Sequence, residues 1–299
     1  MPAQQKASGK DPAPRDRILI LLDSDPQPSV FDRVVAVDAG VNHLFAYGGV
    51  TVDQVQALVH GAIFTRGAKA LRNTAIFIGG SDVSAGEAML QRVTASFLGP
   101  LRVSVMLDAN GANTTAVAAV LAARRHLDLE GLKAVVLAGT GPVGQRVARL
   151  LAREGAVVAL ASRSRQRADS SADAINAGLD DRRVNACEVA DQKQMQSALE
   201  DTELVIAAGA AGVQLLPRPV WTGSPSLKVV IDLNAVPPLG IGGVAVTDKA
   251  AQRDDTIAYG AIGVGGTKMK VHTAAVAGLF EANDRVLDAE ELYELGKQM

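Results

Sequence analysis

A glycine-rich turn between two apolar runs is the feature that most constrains the fold of this chain. The turn, residues 139–144, reads GTGPVG; it follows the apolar run 134–138 and precedes a helical pattern and a second apolar run, 156–161. Strand, glycine turn, helix and strand in this order form the context in which G-x-G-x-x-G indicates dinucleotide binding. Amides at the start of such a helix face the phosphates. The expected cofactor-binding residues are Gly139, Thr140, Gly141, Pro142, Val143 and Gly144. The alternative is an ordinary βαβ turn in an unrelated α/β domain.

The residues after the second apolar run indicate which dinucleotide is bound. NAD-selective sites usually carry Asp or Glu about 20 residues beyond the glycines, to accept a hydrogen bond from the ribose 2′-hydroxyl. This chain has Ser162-Arg163-Ser164-Arg165 there, and no acid before Asp169. Hydroxyl and guanidinium groups donate hydrogen bonds and therefore suit a 2′-phosphate. The pattern predicts NADP bound by Ser162 and Arg163, with NAD use left open and a solvated basic loop as the alternative.

Composition excludes several classes of function. With 299 residues, 48% of them hydrophobic, the chain is long enough for two domains. A net charge of −2 gives no reason to expect nucleic acid or a membrane as partner, and no apolar run is long enough to span a bilayer. The one cysteine, Cys187, cannot form an intrachain disulfide, which fits a reducing, cytoplasmic location. Residues 1–16 lack the apolar core of a signal peptide and are expected to form a disordered tail.

Apolar runs and helical patterns alternate on both sides of the glycine turn. Before the turn, the predicted strands are 18–22, 75–78 and 103–107, the predicted helices are 51–61, 84–97 and 116–126, and residues 31–37 begin a helix or a strand. After the second apolar run, the predicted strands are 183–188, 204–208 and 228–233, and the predicted helices are 165–178, 192–199, 268–280 and 289–298. Such alternation is typical of parallel α/β sheets.

These patterns predict an α/β fold with two domains. A Rossmann-type NAD(P)-binding domain is expected at residues 127–267, and a smaller α/β substrate domain at 17–126. The C-terminal helices, within 268–299, are expected to return to the smaller domain and complete it. We expect the cleft between the domains to close about hinges near 116–126 and 263–267, where glycines can absorb backbone change.

Loops that follow the predicted strands are expected to converge on one cleft. In open parallel sheets, ligands bind beyond the carboxyl ends of the strands. The loops concerned are 108–115, 209–212, 234–238 and 260–268. Ala208 and Asn234 lie at two of these strand ends, and we expect both to contact the cofactor.

The motifs of metal and nucleophilic catalysis are absent from the sequence. It contains no HExxH, no Cys/His cluster and no G-x-S-x-G, and its four histidines lack metal-ligand spacing. We therefore expect no metal site, and neither zinc chemistry nor serine hydrolysis. What remains is redox chemistry at a nicotinamide. Such a reaction needs no strong acid or base if the oxidised substrate is a stabilised cation.

Several long segments resemble the bacterial NAD(P)-dependent methylene-tetrahydromethanopterin dehydrogenases, enzymes of one-carbon (formaldehyde) oxidation in methylotrophs. They are SVFDRVVAVDAG (29–40), FTRGAKALRNTAIFIGGSD (64–82), GPLRVSVMLDANGANTTA (99–116), KAVVLAGTGPVG (133–144), DLNAVPPLGIGG (232–243) and GAIGVGGTKMKVH (260–272). The resemblance extends from about Arg17 to Met299. It implies hydride transfer from methylene-tetrahydromethanopterin to NADP or NAD, which leaves a methenyl cation delocalised over N–C–N. It also implies a homo-oligomer, a trimer or a multiple of one.

The resemblance also implies roles for individual residues. Lys268, in GGTKMK, matches a lysine near the reacting carbon, and Phe31, in SVFD, matches an aromatic that packs against the pterin. The loop MLDANGANTT matches a substrate-side loop, whose candidate substrate-binding residues are Asp108, Asn110, Asn113 and Thr114. Where the family has Gly-Arg-Lys after the second strand, this chain retains Arg163 but has Ser164 in place of the lysine. Strict NADP selectivity is therefore not implied.

Other interpretations stay open on the sequence. Lys268 could lie on a solvated face and Phe31 could belong to the core. Arg66 is the best spare cation for a carboxylate or phosphate of the ligand, or else part of a surface ion pair. A methylene-tetrahydrofolate dehydrogenase, with or without cyclohydrolase activity, would act on the same reacting centre. A non-catalytic NADPH sensor is the alternative from another class.

Overall fold

A computed structural model describes residues 15–299, which build two parallel β-sheets flanked by helices. The first sheet has the strand order β12-β4-β3-β1-β2, all parallel. Its strands are β1 (Ile18–Asp23), β2 (His43–Tyr47), β3 (Thr74–Gly79), β4 (Ser104–Leu107) and β12 (Val286–Leu287). Helices α1 (Val30–Asp38), α2 (Val52–Ile63) and α3 (Val83–Ala95) connect them. A capping box of Thr51 and Gln54 starts α2.

The second sheet has the strand order β10-β11-β9-β8-β5-β6-β7, in which β10 alone is antiparallel. Its strands are β5 (Lys133–Leu137), β6 (Val157–Ser162), β7 (Val184–Glu188), β8 (Leu204–Ala207), β9 (Val229–Asp232), β10 (Ala251–Arg253) and β11 (Thr256–Tyr259). Its helices are α5 (Pro142–Arg153), α6 (Arg165–Asn176), α7 (Gln192–Ala198) and the short α8 (Arg218–Trp221). Apart from β10, this is the strand order of the Rossmann fold, so the predicted fold class is confirmed.

Three helices join the two sheets: α4 (Ala112–Arg124), α9 (Ala261–Gly278) and α10 (Ala289–Lys297). Helix α4 is rich in alanine and almost wholly buried, because small side chains let it pack closely against both α5 and α9. After α9 the chain enters β12, which pairs with β4 of the first sheet. The predicted return of the C-terminal segment to the first domain is therefore confirmed. Among residues 15–299, no helix has the length and apolar character required to cross a membrane.

The structure differs from the sequence predictions at both joining helices. Helix α9 begins at Ala261, so residues 263–267 are helical and not a loop, and the predicted boundary after Thr267 falls inside a helix. A side chain at Gly263 would overlap the carbonyl of Asp248, so this glycine serves close packing rather than a hinge. Helix α4 begins at Ala112 rather than at residue 116. Of the predicted tail, residues 1–14 lie outside the described part of the chain.

A buried arginine on α5 connects the second sheet to the first. The Arg146 guanidinium donates to the side chains of Asn113 on α4 and Glu87 on α3, the latter at 2.8 Å. It also donates to the carbonyl of Pro142, at the start of its own helix, at 3.2 Å. The Asn113 amide donates in turn to Asp288 Oδ1 at 2.7 Å, just before α10. This network ties the glycine turn to the first unit of the protein.

Arg146→Met should destabilise the protein by about 3 kcal/mol, because Asn113 would keep a buried acceptor without its donor. Arg153→Met on the same helix is the matched control, since its side chain is half exposed and its ion pair should contribute less than about 1 kcal/mol. Urea unfolding of both variants measures the difference. Equal losses for the two variants would contradict a special role for Arg146.

Candidate active site

A cavity of about 300 Å³ lies beyond the carboxyl ends of β1, β3 and β4, with Lys268 in its wall. We call it the Lys268 cavity. Its lining residues are Asp25, Ser29, Phe31, Asp32, Gly80, Ser81, Asn110, Gly111 and Lys268. The Ser29 hydroxyl accepts from the Asp32 amide at 3.2 Å and starts α1, which places Phe31 and Asp32 at the cavity. Strand ends, a helix start and α9 thus meet in one place.

Lys268 is held by Gly111, just before α4, and by Thr115, in the first turn of α4. Its ammonium donates to the carbonyl of Gly111 at 3.3 Å and to the hydroxyl of Thr115 at 2.9 Å. Gly111 has a φ of +59°, which favours glycine, and a Cβ there would displace the ammonium from this position. The ammonium is therefore anchored at the cavity wall.

Phe31 presents an aromatic face to the same cavity. The residue is 49% exposed, although it is a large apolar side chain. Its ring lies 6.0 Å from that of His272 and 5.9 Å from the Lys268 ammonium, measured from ring centroids. An exposed ring in a concave wall can pack against a flat, heteroaromatic ligand.

Behind the cavity lies a buried histidine between two carboxyl groups. His272 follows Lys268 by four residues on α9 and stacks on Phe77 of β3, with ring centroids 5.5 Å apart. Its Nδ1 lies 3.8 Å from Asp108 Oδ2, and its Nε2 lies 3.9 Å from Asp32 Oδ1. Neither nitrogen has a hydrogen-bond partner within residues 15–299. Buried polar atoms are rarely left unpaired, so this group requires a functional explanation.

Burial controls the protonation of these groups. It raises the pKa of Asp108 to about 6, although Lys268 and two hydrogen bonds from Thr114 act in the opposite direction. Burial also raises the pKa of Asp32, opposed by His272. It lowers the pKa of His272 to about 4, opposed by Asp32. The shifts follow the cost of charge in an apolar interior.

A second cavity, of about 690 Å³, opens at the carboxyl ends of β5, β6 and β8. We call it the glycine-turn cavity. Its lining includes Thr140, Gly141, Ser162, Arg163, Arg167 and Ala208. A Cβ on Gly144 would lie 2.7 Å from Gly139 Cα, so that glycine serves packing of the helix on the strand. A Cβ on Gly141 would meet nothing closer than 3.6 Å, so only a bound group would need glycine there.

The donors at the end of β6 face the glycine-turn cavity. In the part of the chain that the structure describes, neither Arg163 nor Arg167 has an ion-pair partner. Arg165, by contrast, forms an ion pair with Asp169 at 3.0 Å. Asp191, an acid in the cavity wall, accepts from the Gln194 amide at 2.8 Å and caps α7. The open space at Gly141, the start of α5 and these cations together fit a dinucleotide with a phosphorylated ribose.

Comparison with known proteins identifies the family. The profile of a family described as "Methylene-tetrahydromethanopterin dehydrogenase, N-terminal" matches residues 30–110. The Bifunctional protein MdtA of Methylorubrum extorquens is 48% identical over 285 residues, which cover 95% of this chain and 99% of that protein. The NAD(P)-dependent methylenetetrahydromethanopterin dehydrogenase of the same organism is 31% identical, covering 94% and 98%. The chain belongs to the methylene-tetrahydromethanopterin dehydrogenase family. The predicted resemblance is therefore confirmed.

Solved structures agree on the fold of this family member. Quinate dehydrogenase from Corynebacterium glutamicum, in complex with NAD, has a TM-score of 0.51 and 15% identity, covering 95% of this chain and 99% of that one. Shikimate 5-dehydrogenase from Listeria monocytogenes, in complex with shikimate and NAD, has a TM-score of 0.50 and 12% identity, covering 94% and 96%. At such identities the similarity concerns the fold alone.

The structure brings together some of the predicted site residues and separates others. Phe31, Asn110 and Lys268 line the Lys268 cavity, while Asp108 and Thr114 are buried behind it. Thr140, Gly141, Ser162, Arg163 and Ala208 line the glycine-turn cavity, and Gly139, Pro142, Val143 and Gly144 form the turn and the start of α5. These placements are consistent with the predicted division into substrate and cofactor residues.

Three residues that the sequence suggested as ligand contacts, Asn113, Asn234 and Arg66, have other roles in the structure. Asn113 is buried, and its side chain bonds to Leu107, Asp288 and Arg146 between the two units. Asn234 shapes its own turn, where its side chain bonds to Pro238 and Val236, and it is not among the residues that line the glycine-turn cavity.

Arg66 donates to the carbonyls of Asp16 and Asn73. Asp16 and Asn73 come just before β1 and β3, so these carbonyls lie at the amino ends of the strands. The Lys268 cavity lies beyond the carboxyl ends, and Arg66 therefore does not provide a cation for it.

Sequence reasoning missed His272, Asp32 and Asp25. The four histidines were tested only for metal-ligand spacing, whereas the useful signal was the spacing of four between Lys268 and His272. On a helix this spacing places both side chains on one face. Asp32 lies in the SVFD segment beside Phe31, and Asp25 accepts from Ser81 at the cavity entrance.

Stability should depend on pH in opposite ways when either buried partner is removed. In His272→Phe, the raised pKa of Asp108 makes its contribution largest below pH 4, and that contribution is lost as pH rises through about 6. In Asp108→Asn, the lowered pKa of His272 gives a contribution that is complete above pH 6.5 and is lost as pH falls through about 4.

From pH 7 to 4, the unfolding free energy of His272→Phe should therefore increase relative to that of Asp108→Asn by about 4 kcal/mol, about 2 kcal/mol from each group. Groups that titrate alike in the two variants cancel in this difference. Parallel pH curves for the two proteins would show that neither pKa is shifted by burial.

Proposed function

We propose that this chain oxidises methylene-tetrahydromethanopterin to methenyl-tetrahydromethanopterin, with NADP as the preferred hydride acceptor and NAD as a possible one. The observation that carries the proposal is the pairing of two cavities. One has an anchored lysine and an exposed aromatic ring, and the other has a glycine turn and two arginines that form no ion pair within residues 15–299. Arg146 joins the turn of the second to the helix that follows the first. Membership of the family supplies the substrate class.

The glycine-turn cavity provides what NADP needs. The amides at the start of α5 and the open space at Gly141 suit the pyrophosphate, and Ser162, Arg163 and Arg167 suit the 2′-phosphate. Gly139 and Gly144 keep the turn tight against β5 and β6. When bound, the nicotinamide supplies a hydride acceptor.

The Lys268 cavity provides a place for the pterin. Phe31 packs against the flat ring, and Lys268 donates a hydrogen bond to a ring oxygen and so orients the methylene carbon. Asn110 lies at the mouth of the cavity and donates or accepts there. No proton needs to move at the reacting carbon, because the product cation is stabilised by its two nitrogens. This agrees with a site that is built from positioning groups.

We further propose a cytoplasmic homo-oligomer, a trimer or a multiple of one. The single cysteine, Cys187, supports the compartment, and exposed apolar residues support the assembly. Val34 on α1 is 54% exposed, and Phe45 and Tyr47 on the edge strand β2 are 49% and 44% exposed. Large apolar side chains on an edge strand, which β2 is among residues 15–299, commonly mark an interface. The mass in solution of Phe45→Asp, against that of the wild type, tests this surface.

The assay that tests the function follows NADP and NAD reduction with methylene-tetrahydromethanopterin and, separately, with methylene-tetrahydrofolate. The second pterin shares the N–C–N centre, so faster turnover with it would replace the proposed substrate by the folate. Hydrolysis of the methenyl product would add a cyclohydrolase activity. Tight NADPH binding without turnover of either pterin would identify a sensor and overturn the proposal.

Lys268→Ala should lower kcat/KM by at least about tenfold, because a hydrogen bond to the ring orients the pterin. NADP affinity should stay nearly unchanged, since Lys268 lies in the other cavity. Lys270→Ala is the matched control: Lys270 lies on the same helix but lines a different cavity, beside Arg124 and Arg125. Steady-state kinetics and NADP titration measure both effects. Wild-type turnover in Lys268→Ala would remove Lys268 from the catalytic site.

Arg163→Ala should weaken NADP binding by about ten- to a hundredfold, which corresponds to the loss of a charge-assisted hydrogen bond. Its effect on NAD binding should be much smaller, because NAD lacks the 2′-phosphate. Arg165→Ala, two residues on and paired with Asp169, serves as the control. Dissociation constants for both dinucleotides provide the measurement. Equal losses for NADP and NAD would show that Arg163 does not contact the 2′-phosphate.

A further inference from the structure

The row Asp32–His272–Asp108 behind the Lys268 cavity is not explained by binding of the pterin ring or of NADP. We propose that these three side chains bind one added proton between them, and that His272 is thereby a positioning residue that keeps Asp32 ionised in the cavity wall. The effect on turnover rests on the proposed function. The shared proton is a property of the protein alone and is tested separately.

The geometry of the row favours uptake of one added proton. A neutral imidazole has one N–H donor and one lone pair, and His272 has a carboxyl oxygen within 4 Å of each ring nitrogen. With both carboxyl groups ionised, the lone pair faces a negative oxygen, and the two repel each other. One added proton removes the repulsion, because either a carboxylic acid turns its O–H toward the lone pair or an imidazolium turns an N–H toward each carboxylate; the present 3.8 and 3.9 Å separations would then shorten to hydrogen bonds. The two arrangements hold the same number of protons and interconvert by proton movement within the row.

The added proton resides at Asp108, the more deeply buried of the two carboxyl groups. The side chain of Asp108 is completely buried, whereas that of Asp32 is 13% exposed and reaches the cavity. Charge costs less free energy where solvent is closer, so Asp32 is the carboxyl group that stays ionised. Thr114 donates two hydrogen bonds to Asp108 and favours its ionised form, yet burial outweighs them and raises the pKa of Asp108 to about 6.

An ionised Asp32 balances the charge of Lys268. Loss of a hydride turns the methylene carbon into a cation, and an ammonium in the same cavity wall opposes that charge. A carboxylate in the wall favours it. With one added proton the row carries a net charge of −1, which offsets the +1 of Lys268 before the reaction. His272 is faced by Asp32 and Phe31 from α1, Phe77 from β3, Asp108 from the end of β4, and Lys268 from its own helix.

Infrared spectroscopy of the purified protein, without substrate, tests the shared proton. We expect the carbonyl band of one buried carboxylic acid, still present at pH 6 and lost in Asp108→Asn. His60→Phe should retain the band, because His60 lies in the last turn of α2, away from the row. If the wild type at pH 6 had neither this band nor an imidazolium band that disappears in His272→Phe, or if Asp108→Asn kept the carboxylic-acid band, the shared proton would be refuted. This result does not depend on which substrate the enzyme uses.

Kinetics of two His272 variants test the positioning role. The side-chain amide of His272→Gln can take the place of Nε2–H and donate to Asp32, whereas His272→Phe keeps the stacking on Phe77 but has no donor. We expect His272→Phe to lose about tenfold in kcat with little change in the NADP dissociation constant. The pH below which kcat falls should rise by about one unit, because Asp32 without a donor takes up a proton more readily.

His272→Gln should recover most of kcat and a pH profile close to the wild type, and His60→Phe should match the wild type in both. Equal losses in Gln and Phe variants, with unshifted pH profiles, would reduce His272 to a packing residue and overturn the proposal. Failure of the wild type to oxidise either methylene-pterin would count against the proposed function, while the infrared band would still decide the shared proton.

Discussion

The buried guanidinium of Arg146 links the helix that follows the glycine turn to the helix that follows the Lys268 cavity. It bonds to Pro142, where the glycine turn becomes helix α5, and to Asn113 in the first turn of α4. Lys268 is anchored by Gly111, just before that first turn, and by Thr115 within it. A hydride is transferred only between atoms held close together, so the reaction depends on the relative position of these two turns. Burial of the charged Arg146 guanidinium costs free energy, but its hydrogen bonds fix the position of one turn relative to the other.

Charge balance is the second constraint on the site. A cationic product, an anchored ammonium and three buried titratable groups share one small region, where the dielectric screening is weak. Formation of the product cation is less unfavourable if the charge of Lys268 is already offset before the hydride leaves. Asp32 is placed to provide this balance, because it alone of the buried row reaches the Lys268 cavity. The orphaned nitrogens of His272 are then explained by the carboxyl groups on either side.

The sequence predicted the Rossmann unit well because its signals are local: a glycine turn, alternating apolar runs and the cations after β6. It predicted less where packing between segments that are distant along the chain determines the conformation or the role of a residue. Residues 260–266 read as a loop because glycine is a poor helix former, yet Gly263 is needed for close contact with Asp248. Asn113 was predicted to bind substrate because its loop follows a buried strand and matches a substrate-side loop of the family, but its side chain completes the hydrogen bonds of Arg146. The significance of His272 depends on two carboxyl groups more than 150 residues away along the chain, which no local pattern reveals.

The central claim is that a hydride passes directly from the pterin methylene carbon at the Lys268 cavity to the nicotinamide at the glycine-turn cavity. Methylene-tetrahydromethanopterin with deuterium at both positions of the methylene carbon tests this most directly, in a single turnover with excess enzyme and NADP. The account predicts one deuterium in the reduced cofactor and none in water, together with a slower transfer step than for the protiated substrate. Deuterium recovered in the solvent, or a reduced cofactor without deuterium, would contradict it.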